Sequence, residues 1–209
     1  MPKILTLALA ALLLVTTEAN ATRPTKGRPI KTGQTTSYGP GSDGNLQKGL
    51  SPMLKDLGNG VIKDQRTGLF WEKKSDDASI HDKDFSYSWG QGVSPYSMNG
   101  TMVTVFLASL NTPPCFGGFC DWRIPNIREL LSLVDYGTPF PRTFGAFDTG
   151  CAASCTVKTC SCTRNGRYWS SSTDSFGADY AWWVNFGFGN GGTGGKTTNY
   201  YVRAVRGGS

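Results

Sequence analysis

Asp121-Trp122-Arg123-Ile124-Pro125-Asn126-Ile127-Arg128-Glu129-Leu130 is the stretch that decides how this chain folds. Pro125 closes an extended run. Asn126 follows as a natural helix N-cap, and Glu129 stands three residues on, where a capping box requires it. Ile127, Leu130, Leu131 and Val134 then share one helical face. Upstream, Val103, Phe106, Leu107 and Leu110 repeat that period across Thr101–Leu110, and Asn111-Thr112-Pro113-Pro114 stops the helix. Still earlier, Val61-Ile62-Lys63 and Leu69-Phe70-Trp71 flank a turn over Asp64–Gly68 and predict a β-hairpin. Downstream, Tyr168-Trp169-Ser170, Tyr180–Phe188 and Tyr200–Val205 read as strands, with Gly189–Gly195 as a glycine-rich loop between the last two. The class is α+β: two short helices among twisted antiparallel strands and long irregular loops.

The two ends of the folded part differ in composition. Lys3, the apolar run Ile4–Val15 and Ala19-Asn20-Ala21 predict a Sec signal peptide over residues 1–21. The run is shorter than the roughly 20 apolar residues of a spanning helix, and no later segment is apolar enough, so no integral membrane segment is expected after cleavage. Residues 22–56 are rich in Gly, Pro, Ser and Thr, with Arg23, Lys26, Arg28 and Lys31 among them. Such a stretch predicts a flexible or loosely docked basic extension. The folded domain is expected over 57–209, with order beginning near Leu57.

The formal net charge is +6, and loss of residues 1–21 removes one lysine and one glutamate and leaves it unchanged. A basic balance favours anionic partners. Cys115, Cys120, Cys151, Cys155, Cys160 and Cys162 make an even set in a chain read as exported, which predicts disulfides. Cys115 and Cys120 flank a turn-prone Phe-Gly-Gly-Phe. The other four, in an insert over 151–162, leave three pairings open. Their spacing lacks the paired knuckles of a zinc site, so no metal and no cofactor are expected.

Catalytic patterns are thin. Gly194-Gly195-Lys196-Thr197 ends like a phosphate-binding loop, but Asn190 stands where its first glycine belongs and the segment joins two strands. His81, the single histidine, lies in a polar stretch and reads as exposed and inert, with no nucleophile motif beside it. Asp76-Asp77 and Asp82/Asp84 read as a solvated acidic face. The expectation is a protein that is not an enzyme.

Five segments in order carry a resemblance. They are Thr67-Gly68-Leu69-Phe70-Trp71, the Asp121–Asn126 run into Arg128-Glu129-Leu130, Tyr168-Trp169-Ser170-Ser171-Ser172, Ala181-Trp182 through Val184 and Phe186, and Tyr201–Gly208. Together they resemble the Lcl C-terminal domain family over about residues 57–208. The resemblance implies a C-type-lectin-like fold, related to the sulfatase-modifying factor fold, and extracellular ligand binding. The adhesin that names the family is associated with sulfated glycosaminoglycans. Its collagen-like repeat is absent from this sequence, and the 151–162 insert lies outside the family's core pattern.

The residues have a physical reading beside that resemblance. Trp71, Trp122, Trp169 and Trp182 sit among strand-like residues and are expected in the core. Arg123 and Arg203 lie in apolar runs and need partners when buried, with Glu129 and Asp135 as candidates. If Trp182, Val184 and Phe186 face inward, then Trp183 and Asn185 face outward. Phe188, Asn190, Lys196, Asn199 and Tyr200 frame the loop beyond. These seven residues, Trp183 to Tyr200, are the candidate ligand surface, suited to sugar stacking or protein contact. The expected partner is a glycan, anionic or sulfated in one version, or a surface protein, and not nucleic acid. The competing expectations are an enzyme on the sulfatase-modifying type of fold and a structural component of a surface appendage or the envelope.

Overall fold

The structure is a computed structural model in which residues 29–208 are described. The segment 1–21 read as a signal peptide lies outside the described residues. No helix among the described residues is long and apolar enough to cross a membrane.

The class is mixed α+β, with most of the regular structure in two sheets. In the first, β1 (Leu54–Asp56), β2 (Val61–Asp64) and β3 (Phe70–Glu72) form an antiparallel meander. The hairpin expected from the turn residues is therefore present, and the sheet starts at Leu54, three residues ahead of Leu57. The short strand β9 (Val205–Arg206) pairs with β3 and completes this sheet in the order β1-β2-β3-β9.

The second sheet contains β4 (Ser86–Ser88), β5 (Arg167–Thr173), β6 (Tyr180–Asn185), β7 (Asn190–Gly195) and β8 (Asn199–Tyr201). Its order is β4-β8-β5-β6-β7, antiparallel except for the parallel contact of β5 with β8. Asn190–Gly195, expected as a loop, is thus a strand. Glycine weakens a strand for want of a side chain to pack, but here β6 and β8 supply the rings. A Cβ on Gly192 would stand 2.5 Å from Trp183 Cζ2, and one on Gly194 would stand 2.9 Å from Tyr200 Cε2. The aromatic neighbours require glycine.

The helices are short. A π-helical turn over Met102–Leu107 runs into α2 (Ala108–Asn111), after the single turn α1 (Asp43–Leu46). Met102, Phe106, Leu107 and Leu110 are buried by it. Helix α3 (Ile127–Leu131) carries the expected capping box: Asn126 Oδ1 accepts from the Arg128 and Glu129 N–H groups, and Glu129 accepts from Asn126 N–H. Arg123 grips the same carboxylate with both terminal nitrogens, at 2.8 and 2.7 Å, and reaches Gly207 O at 3.0 Å. Leu131 is partly exposed, and Leu133 and Val134 beyond the helix are buried in its place.

Two apolar clusters lie on opposite faces of the second sheet. Trp169, Ala181 and Trp183 enter the first, with Val61, Phe106 and Trp122. Tyr168, Val184 and Phe186 enter the second, with Trp71, Leu130 and Phe147. Alternation along β5 and β6 sends neighbouring side chains to different cores. A buried knot of charge joins them. Glu72 bonds Lys74 Nζ at 3.2 Å, His81 Nδ1 at 2.8 Å and the Ala204 N–H at 3.0 Å. Arg203 donates to Glu72 O, Cys162 O and Thr163 Oγ1 at 2.8–2.9 Å. Lys74 lies over the Phe106 ring and Arg203 over Phe147, one in each cluster. Burial pushes the Glu72 carboxyl up, but Lys74, His81 and Ala204 together overcome this and hold it below the ordinary range. Burial also pulls Lys74 down, against the pull of Glu72.

His81 is therefore not the exposed histidine expected. Its side chain is mostly buried, and its ring lies 4.1 Å from that of Phe116. Asp82, expected on a solvated face, is buried because it caps the Ala78 and Asp84 N–H groups.

All six cysteines pair, as Cys115–Cys120, Cys151–Cys162 and Cys155–Cys160. The last two nest within the insert. Upstream of the sheets, Ile30 bridges Leu50, Tyr136 N–H donates to Thr32 O at 2.7 Å, and Ile30 packs against the second cluster. A main-chain bond at Thr32 and the Ile30 side chain hold this part of the extension to the domain.

Candidate functional site

The C-terminal hairpin was the expected ligand surface, and the structure divides it. Sheet register places Arg167 opposite Asn185, and Asn185 opposite Asn190. The next row is Trp169, Trp183 and Gly192. Alternation puts Arg167 and Asn185 on the face of Trp169 and Trp183.

There the Arg167 guanidinium carbon sits 4.8 Å from the Trp183 ring centroid and 5.5 Å from that of Tyr200. One terminal nitrogen donates to the Tyr200 hydroxyl at 3.1 Å. Tyr200 in turn stacks on Trp169 at 4.5 Å between centroids and meets Trp183 edge-on at 6.4 Å. Arg167 is exposed, and no carboxylate among the described residues lies within salt-bridge distance of it. Arg123, Arg164 and Arg206 are instead paired with Glu129, Asp84 and Asp121, and Arg128, exposed and without an ion pair among the described residues, has no aromatic ring beneath it. Arg167 thus presents a flat cation, held by two aromatic rings, with donors free for a ligand.

Four of the seven expected residues meet there: Trp183, Asn185, Asn190 and Tyr200. Their roles differ from the expectation. Trp183 is 9 % exposed and supports Arg167 from beneath. Its indole N–H is buried without an acceptor among the described residues. Trp182, expected in the core, is 37 % exposed. The inversion has a plain cause. Trp182 shares the face of Val184, but α3 is only five residues long and covers that face at the Val184 end. Trp183 lies where the first cluster is thick.

The remaining three lie elsewhere. Phe188 is exposed in the β6–β7 turn, and Asn199 is exposed where β8 pairs with Ser88. Lys196, expected on the surface, is 2 % exposed. Its ammonium donates to Tyr96 O at 2.9 Å and Thr173 Oγ1 at 3.0 Å and lies 3.8 Å from the Trp89 ring centroid. Burial pulls its pKa down, with Asp179 opposing. It ties the 91–99 loop to the sheet, so its charge is spent inside the fold.

Sequence reasoning missed Arg167. The available signal was its place two residues before Trp169 on one strand face, an arginine in an aromatic row. Two other groups bear on metals. Cys151, Cys155 and Cys162 come together, but each is in a disulfide and offers no thiolate. Asp76, Asp82 and Asp84 also cluster, with Lys83 Nζ at 2.7 Å from Asp76 and 2.9 Å from Asp84.

No curated protein and no solved structure matches the chain. The sequence model of the Lcl C-terminal domain matches residues 60–206, which span the second sheet, the first sheet except β1, the insert and the Arg167 platform. On that match, the chain belongs to the Lcl C-terminal domain family.

Proposed function

We propose that this chain is an exported, non-enzymatic binding module of C-type-lectin-like architecture, adhesive in role, that takes an anionic glycan through Arg167. The observation that carries the reading is an exposed guanidinium braced between Trp183 and Tyr200 and free of any carboxylate partner among the described residues. A planar fork of this kind matches a sulfate or carboxylate in two-point contact. Asn185 and Asn190, in the same row, add amides for neighbouring hydroxyls. Three disulfides fit an oxidising compartment.

Titration calorimetry with a heparin-derived oligosaccharide and its desulfated counterpart tests this. The sulfated probe should bind and weaken as salt rises. Arg167→Ala should weaken it about 10–100-fold, the worth of one charged hydrogen-bonding group, while the near-UV circular dichroism stays unchanged. Equal binding by the folded variant, or no binding by the parent protein, overturns the reading.

A further inference from the structure

Sheet edges expose unpaired N–H and C=O groups, and soluble proteins protect them with charge, proline, bulges, brevity or cover. Three of the four edges here are protected. β1 has three residues, two of them Lys55 and Asp56. β4 has three, and its Ser88 N–H is taken by Thr101 Oγ1 at 2.9 Å. β9 has two, and Arg123 bridges Val205.

β7 has none of these devices. It is six residues long and pairs with β6 in unbroken register from Asn190 to Gly195. Tyr180–Gly195 contains neither a charged residue nor a proline. Among the described residues no hydrogen bond reaches the outer edge of β7 from another element. On the face that Thr193 and Gly195 share, Trp182 and Tyr180 stand opposite them on β6, 37 % and 44 % exposed. Phe176, in the loop leading into β6, is fully exposed. The near-bare strand leaves these rings within reach of whatever lies against the edge, as cross-strand side chains would.

We propose that a second copy of this chain pairs with β7 along its own β7, antiparallel about a two-fold axis normal to the sheet. The edge is its own complement. It carries no charge to repel an identical strand, glycine permits close backbone approach, and the same exposed rings flank both halves. The result is one continuous ten-stranded sheet. A normal two-fold keeps each face on its own side, so both Arg167 platforms look the same way. They stand five strand spacings apart, about 24 Å.

Light scattering and sedimentation of the purified protein test this, over roughly 1 µM to 1 mM, where weak protein pairs form. The expected result is a mass rising from one chain to two. Thr193→Lys should weaken association at least about 10-fold by placing like charges at the seam, whereas Lys55→Thr on the β1 edge should leave it unchanged. Asn190→Lys repeats the test at an exposed side chain should T193K not fold. A one-chain mass throughout, or undiminished association in a folded edge variant, overturns the proposal. So does pairing of β7 with a foreign extended peptide while the chain itself stays single.

Discussion

Arg203 and Arg167 each lay a guanidinium against aromatic rings, and they end in opposite places. Arg203 is 1 % exposed, between Phe147 and the Glu72 knot, with its terminal nitrogens bonded to two carbonyls and a hydroxyl. Arg167 is exposed on Trp183 and Tyr200 with a single hydrogen bond. A saturated guanidinium in the interior fixes geometry and has nothing left to offer. An unsaturated one on a rigid aromatic base can discriminate. The same side chain is scaffold or site according to how many of its donors the fold consumes.

The largest loss of stability is expected at Arg203. Arg203→Met leaves the Glu72 and Cys162 carbonyls and the Thr163 hydroxyl without their buried charged donor and should cost about 3–5 kcal/mol in urea unfolding, the worth of three charge-assisted hydrogen bonds lost in the interior. A loss below about 1 kcal/mol would show that the knot is not the tie between the cores. Next in size is the clamp beside it. Cys162 O accepts from Arg203, and the Cys151–Cys162 bond closes an 11-residue separation. Replacing both cysteines by serine should cost about 2–3 kcal/mol through restored unfolded-chain entropy, read as a shift of the urea midpoint.

Protonation sharpens the same contrast. Glu72 is held below its ordinary value in the fold, so its contribution is complete above about pH 4.5 and disappears as pH falls through the lowered value. The urea midpoint should fall in acid, and Glu72→Gln should flatten that slope. Burial pushes Tyr168 up to about 12. Stability should therefore hold up to about pH 10 and decline between there and pH 12, with Tyr168→Phe removing that part of the decline in an alkaline melt. The smallest effect belongs to the exposed partner of the comparison. Arg167→Ala should cost about 0.5–1 kcal/mol of stability, the worth of an exposed cation–π contact, while weakening the proposed glycan binding about 10–100-fold. Arg167→Lys keeps the charge and loses the plane, and should recover only part of that binding.

Local signals were legible in the sequence. The capping box at Asn126–Glu129 and the hairpin at Asp64–Gly68 depend on residues three to six apart, and both are present. Of the two carboxylates expected to serve the arginines, Glu129 takes Arg123, while Arg203 takes neither and is held by two carbonyls and a hydroxyl. Signals that depend on distant packing were not legible. Trp182 and Trp183 are chemically alike, and only the extent of α3 decides which is covered. Lys196 is buried by a loop a hundred positions away, at Tyr96. β7 is a strand because rings on β6 and β8 demand missing side chains, a demand that composition alone reads as a loop. His81 looked solvated because its partner, Glu72, lies across a turn of the chain. Four of the seven residues expected at the surface converge beside Arg167, and the other three lie elsewhere.

The strand that closes the first sheet is β9, paired to β3, and Arg203 just before it reaches Glu72 across 131 residues of sequence. A nascent chain therefore holds an unfinished sheet, and buried carbonyls without their donor, until Arg203 and β9 have emerged. Contacts so distant in sequence form late and slowly. For a chain exported as proposed, that delay keeps the polypeptide threadable during transit, and maturation is timed by the arrival of the segment that carries Arg203 and β9.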